Sequence, residues 1–181
     1  MRRAATLTVF ALPVLASALA VGASAQKRDS NAPIDFAADH MELQDKSNRV
    51  ILTGNVQVKQ DDMTLRAARI TVAYTGKALN GSPQASRLDA SGGVTVVQRD
   101  KTARGQYGIY DVNRKVVIML GGVSLTQGPN TVNGSKLTIN LDTGKAVVDG
   151  SGAVSNPETG APITSNKGRV TGRFTVPKRN Q

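Results

Sequence analysis

One histidine and no cysteine among 181 residues set tight limits on the chemistry this chain can do. His40 stands beside Asp39 and two residues before Glu42, an arrangement that raises the question of a metal site. A strand would send Asp39 and His40 to opposite faces, and no second histidine supplies a ligand at the usual spacing. His40 therefore reads as a surface residue, and no metal is expected. A serine hydrolase would have to build its triad around His40 alone, without a G-x-S-x-G turn to present the nucleophile. Thiol nucleophiles, thiolate ligands and disulfides are excluded by composition. No P-loop or dinucleotide-binding glycine motif occurs. The acidic residues fall mostly at turns, where Asp bonds to nearby backbone. Asn80-Gly81-Ser82 and Asn133-Gly134-Ser135 fit the N-glycosylation pattern, but they read more simply as a loop and a bulge. The chain is not expected to be an enzyme; no catalytic residue and no cofactor are assigned.

The remaining pattern is apolar, and it repeats. Four segments carry alternate small or apolar residues around a glycine: Val50-x-Leu52-x-Gly54-x-Val56-x-Val58, Leu88-x-Ala90-x-Gly92-x-Val94-x-Val96, Val117-x-Met119-x-Gly121-x-Val123-x-Leu125 and Val148-x-Gly150-x-Gly152-x-Val154. Nine residues beyond the valine that follows each glycine stand Leu65, Ala103, Val132 and Ile163, and a small residue comes two further on, at Ala67, Gly105, Gly134 and Ser165. Such repetition decides the architecture before any local reading does. Period-two alternation specifies strands with one buried face. Turn-forming clusters at 45–48, 60–62, 113–115, 128–130 and 142–145, and a longer loop at 76–86, make neighbouring strands antiparallel. The expectation is an all-β chain of about nine or ten strands, joined as a meander or rolled, with no helix after residue 25. Central glycines on the apolar stripe favour a bend or a bulge there. The apolar parity switches between Ala67 and Ile70 and between Gly134 and Leu137, which predicts a bulge at the small residue.

Composition bounds the setting. Arg2 and Arg3, an apolar run over 4–21 and Ala23-Ser24-Ala25 form a secretory pattern, with cleavage expected after Ala25. The interrupted, alanine-rich run is short for a retained membrane anchor. The expected organisation is a cleaved signal peptide at 1–25, a flexible N-terminus at 26–32, one β domain at 33–176 and a basic tail at 177–181. Net charge is +10, or +8 without Arg2 and Arg3, and Lys167, Arg169, Arg173, Lys178 and Arg179 crowd the C-terminal end. That balance suits anionic partners. Export and the scarcity of aromatics (3%) for base stacking argue against nucleic acid.

Leu52-Thr53-Gly54-Asn55-Val56-x-Val58 with Leu65-Arg66-Ala67, Gly121-Gly122-Val123-x-Leu125-x-Gln127, and Gly168-Arg169-Val170-Thr171 with Phe174 resemble the OstA-like family of lipopolysaccharide transport, most of all its small soluble periplasmic member. The resemblance spans about 33–177. It implies an elongated open β-jellyroll, a V-shaped antiparallel roll with an apolar interior. It further implies lipopolysaccharide acyl chains held there, and head-to-tail assembly by strand edges. The partners so implied are inner- and outer-membrane components that share the fold, and the setting is the periplasm. Val56, Val58, Leu65, Val94, Val96, Met119, Val123, Leu125, Val132 and Ile139 are the candidates for the lipid-binding lining. The segments 34–43 and 167–176 are the expected edges; basic residues in the second either repel self-pairing, attract lipid phosphates or attract an acidic edge. Two alternatives fit the same pattern: a β-repeat protein whose filled core binds no lipid, and a related family member anchored in the inner membrane.

Overall fold

The computed structural model describes residues 32–77, 81–150, 154–155, 162–163 and 168–175. The expected signal peptide, the basic tail, Gly152 of the fourth repeat and Lys167 lie outside them. The strands are β1 (Asp35–Ala37), β2 (His40–Gln44), β3 (Arg49–Gln60), β4 (Met63–Thr75), β5 (Gln84–Gln98), β6 (Lys101–Asp111), β7 (Val116–Gln127), β8 (Asn130–Asn140), β9 (Ala146–Asp149), β10 (Val154–Ser155), β11 (Pro162–Ile163) and β12 (Thr171–Arg173). Among the described residues, the one helical piece is a 3-10 turn at Asp45–Ser47. The chain is all-β, as the alternation requires.

Ten strands form one antiparallel sheet in the order β1-β3-β4-β5-β6-β7-β8-β12, and β10 and β11 pair separately. From β3 to β8 it is a simple meander. Each outer strand of that meander is flanked by two short pieces: β3 pairs with both β1 and β2, and β8 with both β9 and β12. The long loop is shorter than its composition suggests, because Gln84 already belongs to β5.

The break in each edge continues as a crease across the whole sheet. On β3, β5 and β7 the doublets Gly54-Asn55, Gly92-Gly93 and Gly121-Gly122 all have positive φ, from 47 to 82°. On the neighbouring strands one residue stands opposite each doublet: Ala68, Gln106 or Ser135. The bulge is therefore centred on the glycine doublets, not on the small residues Ala67 and Gly134 as the parity switch predicts. Two residues facing one shift the parity of the single-residue strand, and that accounts for the switch. Non-glycine residues rarely adopt this conformation, asparagine being among the more tolerant.

The crease divides the sheet into two leaves. The first holds 35–37, 56–67, 94–105, 123–134 and 171–173; the second holds 40–53, 69–77, 81–91, 107–120 and 136–149. Their inner faces turn toward each other, so Met63, Leu65 and Val96 of the first leaf share one small gap with Tyr110 and Val117 of the second. The core lies between them: Leu52, Ile70, Leu88, Met119 and Leu137 are essentially inaccessible. Tyr110 crosses the interior and donates its hydroxyl to Oε1 of Gln60 at 2.6 Å, and Gln60 Nε2 donates to the Ala32 carbonyl at 3.0 Å. A buried amide is tolerable because those bonds are made.

Candidate functional site

Alternation and register assemble the interior from continuous rows. One inner row runs Phe36, Val58, Leu65, Val96, Ala103, Leu125, Val132, Gly172 across the first leaf. In the second leaf Leu52, Ile70, Ala90, Gly108, Met119, Leu137 and Val148 form its counterpart. All ten residues expected to line a trough fall on this inner side. Val56, Val58, Leu65, Val94, Val96, Met119 and Val123 are buried, and Leu125 and Ile139 pack partly buried against them. Val132 is half-buried beside Leu125.

The leaves do not stay equally close. Near β1 and β3 they part around a groove of about 820 Å³, walled by Phe36, Val50, Leu52, Val58, Val72 and Tyr74 and reaching Val112 and Lys115 at the turn after β6. Of the ten expected lining residues, only Val58 borders it. Val50 and Leu52 were visible as members of the repeat, but the repeat does not say where the leaves separate. Val72 and Tyr74 stand in the alternating apolar run Ile70-x-Val72-x-Tyr74 that follows the first segment, whereas Val112 lies outside any such run and gave no signal. The apolar rows run out at the groove's free edge on Phe36, Met41 and Leu43, which are 53%, 52% and 38% exposed. At the opposite edge Val147, Val170 and Phe174 are exposed.

Polar chemistry is sparse inside. Gln60 is the polar side chain at the groove's inner end, and Tyr74 donates its hydroxyl to Asp45 Oδ1 at 3.1 Å. Burial, then the bond to Asp45 and its negative charge, hold the Tyr74 phenol above its ordinary pKa. His40 is exposed on the outer side, paired through its backbone with Thr53. Among the described residues, no group of three His, Cys, Asp or Glu is placed to hold a metal, and no helix is long and apolar enough to cross a membrane.

A creased antiparallel sheet enclosing an apolar trough has counterparts among known proteins. Residues 35–145 match the family described as LptA/(LptD N-terminal domain) LPS transport protein. The chain belongs to that family. A family relative, an uncharacterized protein of Rhizobium meliloti (strain 1021), is 30% identical over 142 residues, covering 76% of each chain. Among solved structures, the fold is similar to LptH, the LptA-homologous periplasmic component of the lipopolysaccharide transport device of Pseudomonas aeruginosa. That likeness has a TM-score of 0.67 at 22% identity and covers 82% of this chain and 99% of the other. The family match ends before β9, so the second free edge is described by this chain's own register and not by that match.

Proposed function

We propose that the chain is a periplasmic carrier that holds lipopolysaccharide acyl chains between its leaves and forms part of a bridge from inner to outer membrane. The observation that carries this reading is the open apolar groove, whose volume of about 820 Å³ falls within the roughly 300–1,000 Å³ usual for ligand sites. Each methylene kept from water is worth about 0.8 kcal/mol, so a ~12-carbon chain resists exposure by roughly 10 kcal/mol. A row of valines and leucines ending on an exposed Phe36 offers such a chain a continuous apolar path. Family membership supports lipopolysaccharide as the lipid.

A second reading, a β-repeat protein with a filled interior, is favoured by the close burial of Val56, Val94, Met119 and Val123. Photoreactive side chains separate the two. Probes at Phe36 and Val72 should capture lipopolysaccharide several-fold more than probes at the outward-facing Gln57 and Lys59. Equal capture at both sets, or none, rejects the groove.

The free edges support end-to-end assembly. With creases aligned, β12 of one copy would run antiparallel to β1 of the next, because β1 and β12 point in opposite directions. The rows then place Phe36 against Gly172, which has no side chain to obstruct the ring, and Asp35 against Arg173. Strand addition of this kind uses the unpaired backbone groups that edges normally hide. Asp35→Lys and Arg173→Asp should each weaken self-association, and the two together should restore it toward the original strength, as read by sedimentation. The singles should lose a few-fold, in keeping with about 0.2–1 kcal/mol for an exposed pair. Additive losses in the double variant reject this register.

A further inference from the structure

The outer face of the second leaf carries a charged cleft that the carrier reading does not use. Alternation along β3, β4 and β5 turns Val50, Val72 and Leu88 inward and sends Arg49, Arg69 and Arg87 outward. Register fixes where those arginines stand. Arg49, Ala73 and Arg87 lie side by side in one row; Ile51, Thr71 and Asp89 form the next outward row; Thr53, Arg69 and Ser91 form the third. Strands about 4.8 Å apart and a rise of about 3.4 Å per residue put Arg49 and Arg87 roughly 10 Å from each other and Arg69 roughly 14 Å from both. The three long side chains surround Thr71.

Between them is a cleft of about 500 Å³, floored by Thr71 and Ala73 and walled by the arginines and Gln44. Arg87 is held by Asp89, with three nitrogen–oxygen contacts of 2.7, 2.9 and 2.9 Å, and this pairing raises its pKa. Arg49 and Arg69 pair with no carboxylate of the described residues. Two uncommitted guanidinium groups and a third braced one leave a net positive cleft. Guanidinium forks match phosphate oxygens in geometry as well as charge.

We propose that this cleft binds a phosphomonoester carried on a saccharide. The hydroxyl of Thr71, the amide of Gln44 and the carboxylate of Asp89 supply neutral and anionic partners for sugar hydroxyls beside the phosphate. A flat anionic membrane fits less well: none of the exposed large apolar residues (Phe36, Met41, Leu43, Val147, Val170 and Phe174) lines the cleft, so the cleft itself offers no exposed large apolar side chain for insertion. Nucleic acid lacks an aromatic platform in the cleft. The site is on the opposite face of the strands that wall the groove, so it stands even if the groove holds no lipid.

The test is titration of the full chain with glucose 1-phosphate, followed by amide shifts on β3–β5 and by calorimetry. Saturable binding is expected, weakened about tenfold or more in the double variant Arg49→Gln with Arg69→Gln. Arg104→Gln, on the outer face of the other leaf, should stay within about twofold, as a distant independent charge. If the double variant fails to fold, each single variant should still weaken binding by about threefold. The proposal is overturned by absence of saturation up to ~10 mM, by equal weakening in the Arg104 control, or by binding to phosphatidylglycerol vesicles without binding to the sugar phosphate.

Discussion

The two ends of the interior are made from the same repeat and differ in what they enclose. Around β1, β3 and β4 the leaves stand apart over about 820 Å³, whereas the gaps described farther along, toward β7 and β9, are only about 10 and 20 Å³. The rows, the crease and the hairpins are alike in both. What differs is which side chains meet across the interior. Phe36, Val50, Leu52, Val72, Tyr74 and Val112 stand as walls around the open end; Tyr110, Met63, Met119 and Leu137 fill the closed one. Tyr110 and its partner Gln60 stand at the boundary, with Gln60 bordering the groove and Tyr110 the first small gap. Spacing builds the container, and the side chains that face one another across it decide which part stays empty.

Truncation of two equally buried leucines would break this contrast most directly. Leu52 and Leu137 are both wholly inaccessible, on the same inner row of the second leaf. Leu137→Ala leaves a hole in a filled region, and its cost should lie near the upper end of the roughly 2.7–5.0 kcal/mol seen for such changes. Leu52→Ala enlarges a groove that already exists, which places it near the lower end of that range. Chemical denaturation of the two variants measures the difference. Equal costs would mean that the open end is packed as tightly as the closed one.

Much of the container was legible in the sequence, for a physical reason: a strand's side chains alternate by two whatever lies around them. The stripe through Val50, Leu52, Val56 and Val58 was enough to assign the inner face of β3, and the turns around Asp61 and Asn113 fell where the side-chain chemistry placed them. The glycines foretold a bend. Their neighbours obscured its form, because a parity switch at Ala67 looks the same whether the extra residue lies on β4 or on the strand beside it. The groove was illegible for a different reason. Val58 and Val96 share a row and a spacing, yet one borders a wide opening and the other a narrow gap, and that depends on which residues of the other leaf face them. The arginine cleft was equally hidden: Arg49, Arg69 and Arg87 come from three strands and converge only once the register is fixed.

The crease belongs to both ends, and glycine substitution tests whether they depend on it alike. Gly92 and Gly93 share a φ of +82°, but their surroundings differ: a Cβ on Gly92 would meet the Ala68 Cβ at 2.7 Å, while one on Gly93 would meet nothing within 4 Å. Gly93→Ala should therefore cost only the left-handed backbone, about 1–2 kcal/mol. Gly92→Ala adds a collision between neighbouring strands and should cost about 3 kcal/mol. Urea titration gives both values. Hydrogen exchange in the Gly92 variant should quicken on β3–β4 and β6–β7 together; acceleration confined to one pair would make the two ends separate folding units.

The smallest expected effect concerns how dry the groove wall is. Tyr74 is 6% exposed at the open end, bonded to Asp45 through its hydroxyl and to the Asn48 carbonyl through its backbone N–H at 3.0 Å. Its pKa in the folded chain is raised, chiefly by burial and then by Asp45. A raised folded value means the protonated phenol contributes stability below the unfolded pKa of about 10, and that contribution is lost as pH rises through the folded value. Tyr74→Phe should thus be slightly less stable at neutral pH, and the gap from the parent protein should close above about pH 10. Thermal unfolding of both proteins across that window measures it. Parallel curves would show a phenol that titrates as it does in water, and a groove wall as wet as the outer surface; the distinction between the two ends would then rest on volume alone.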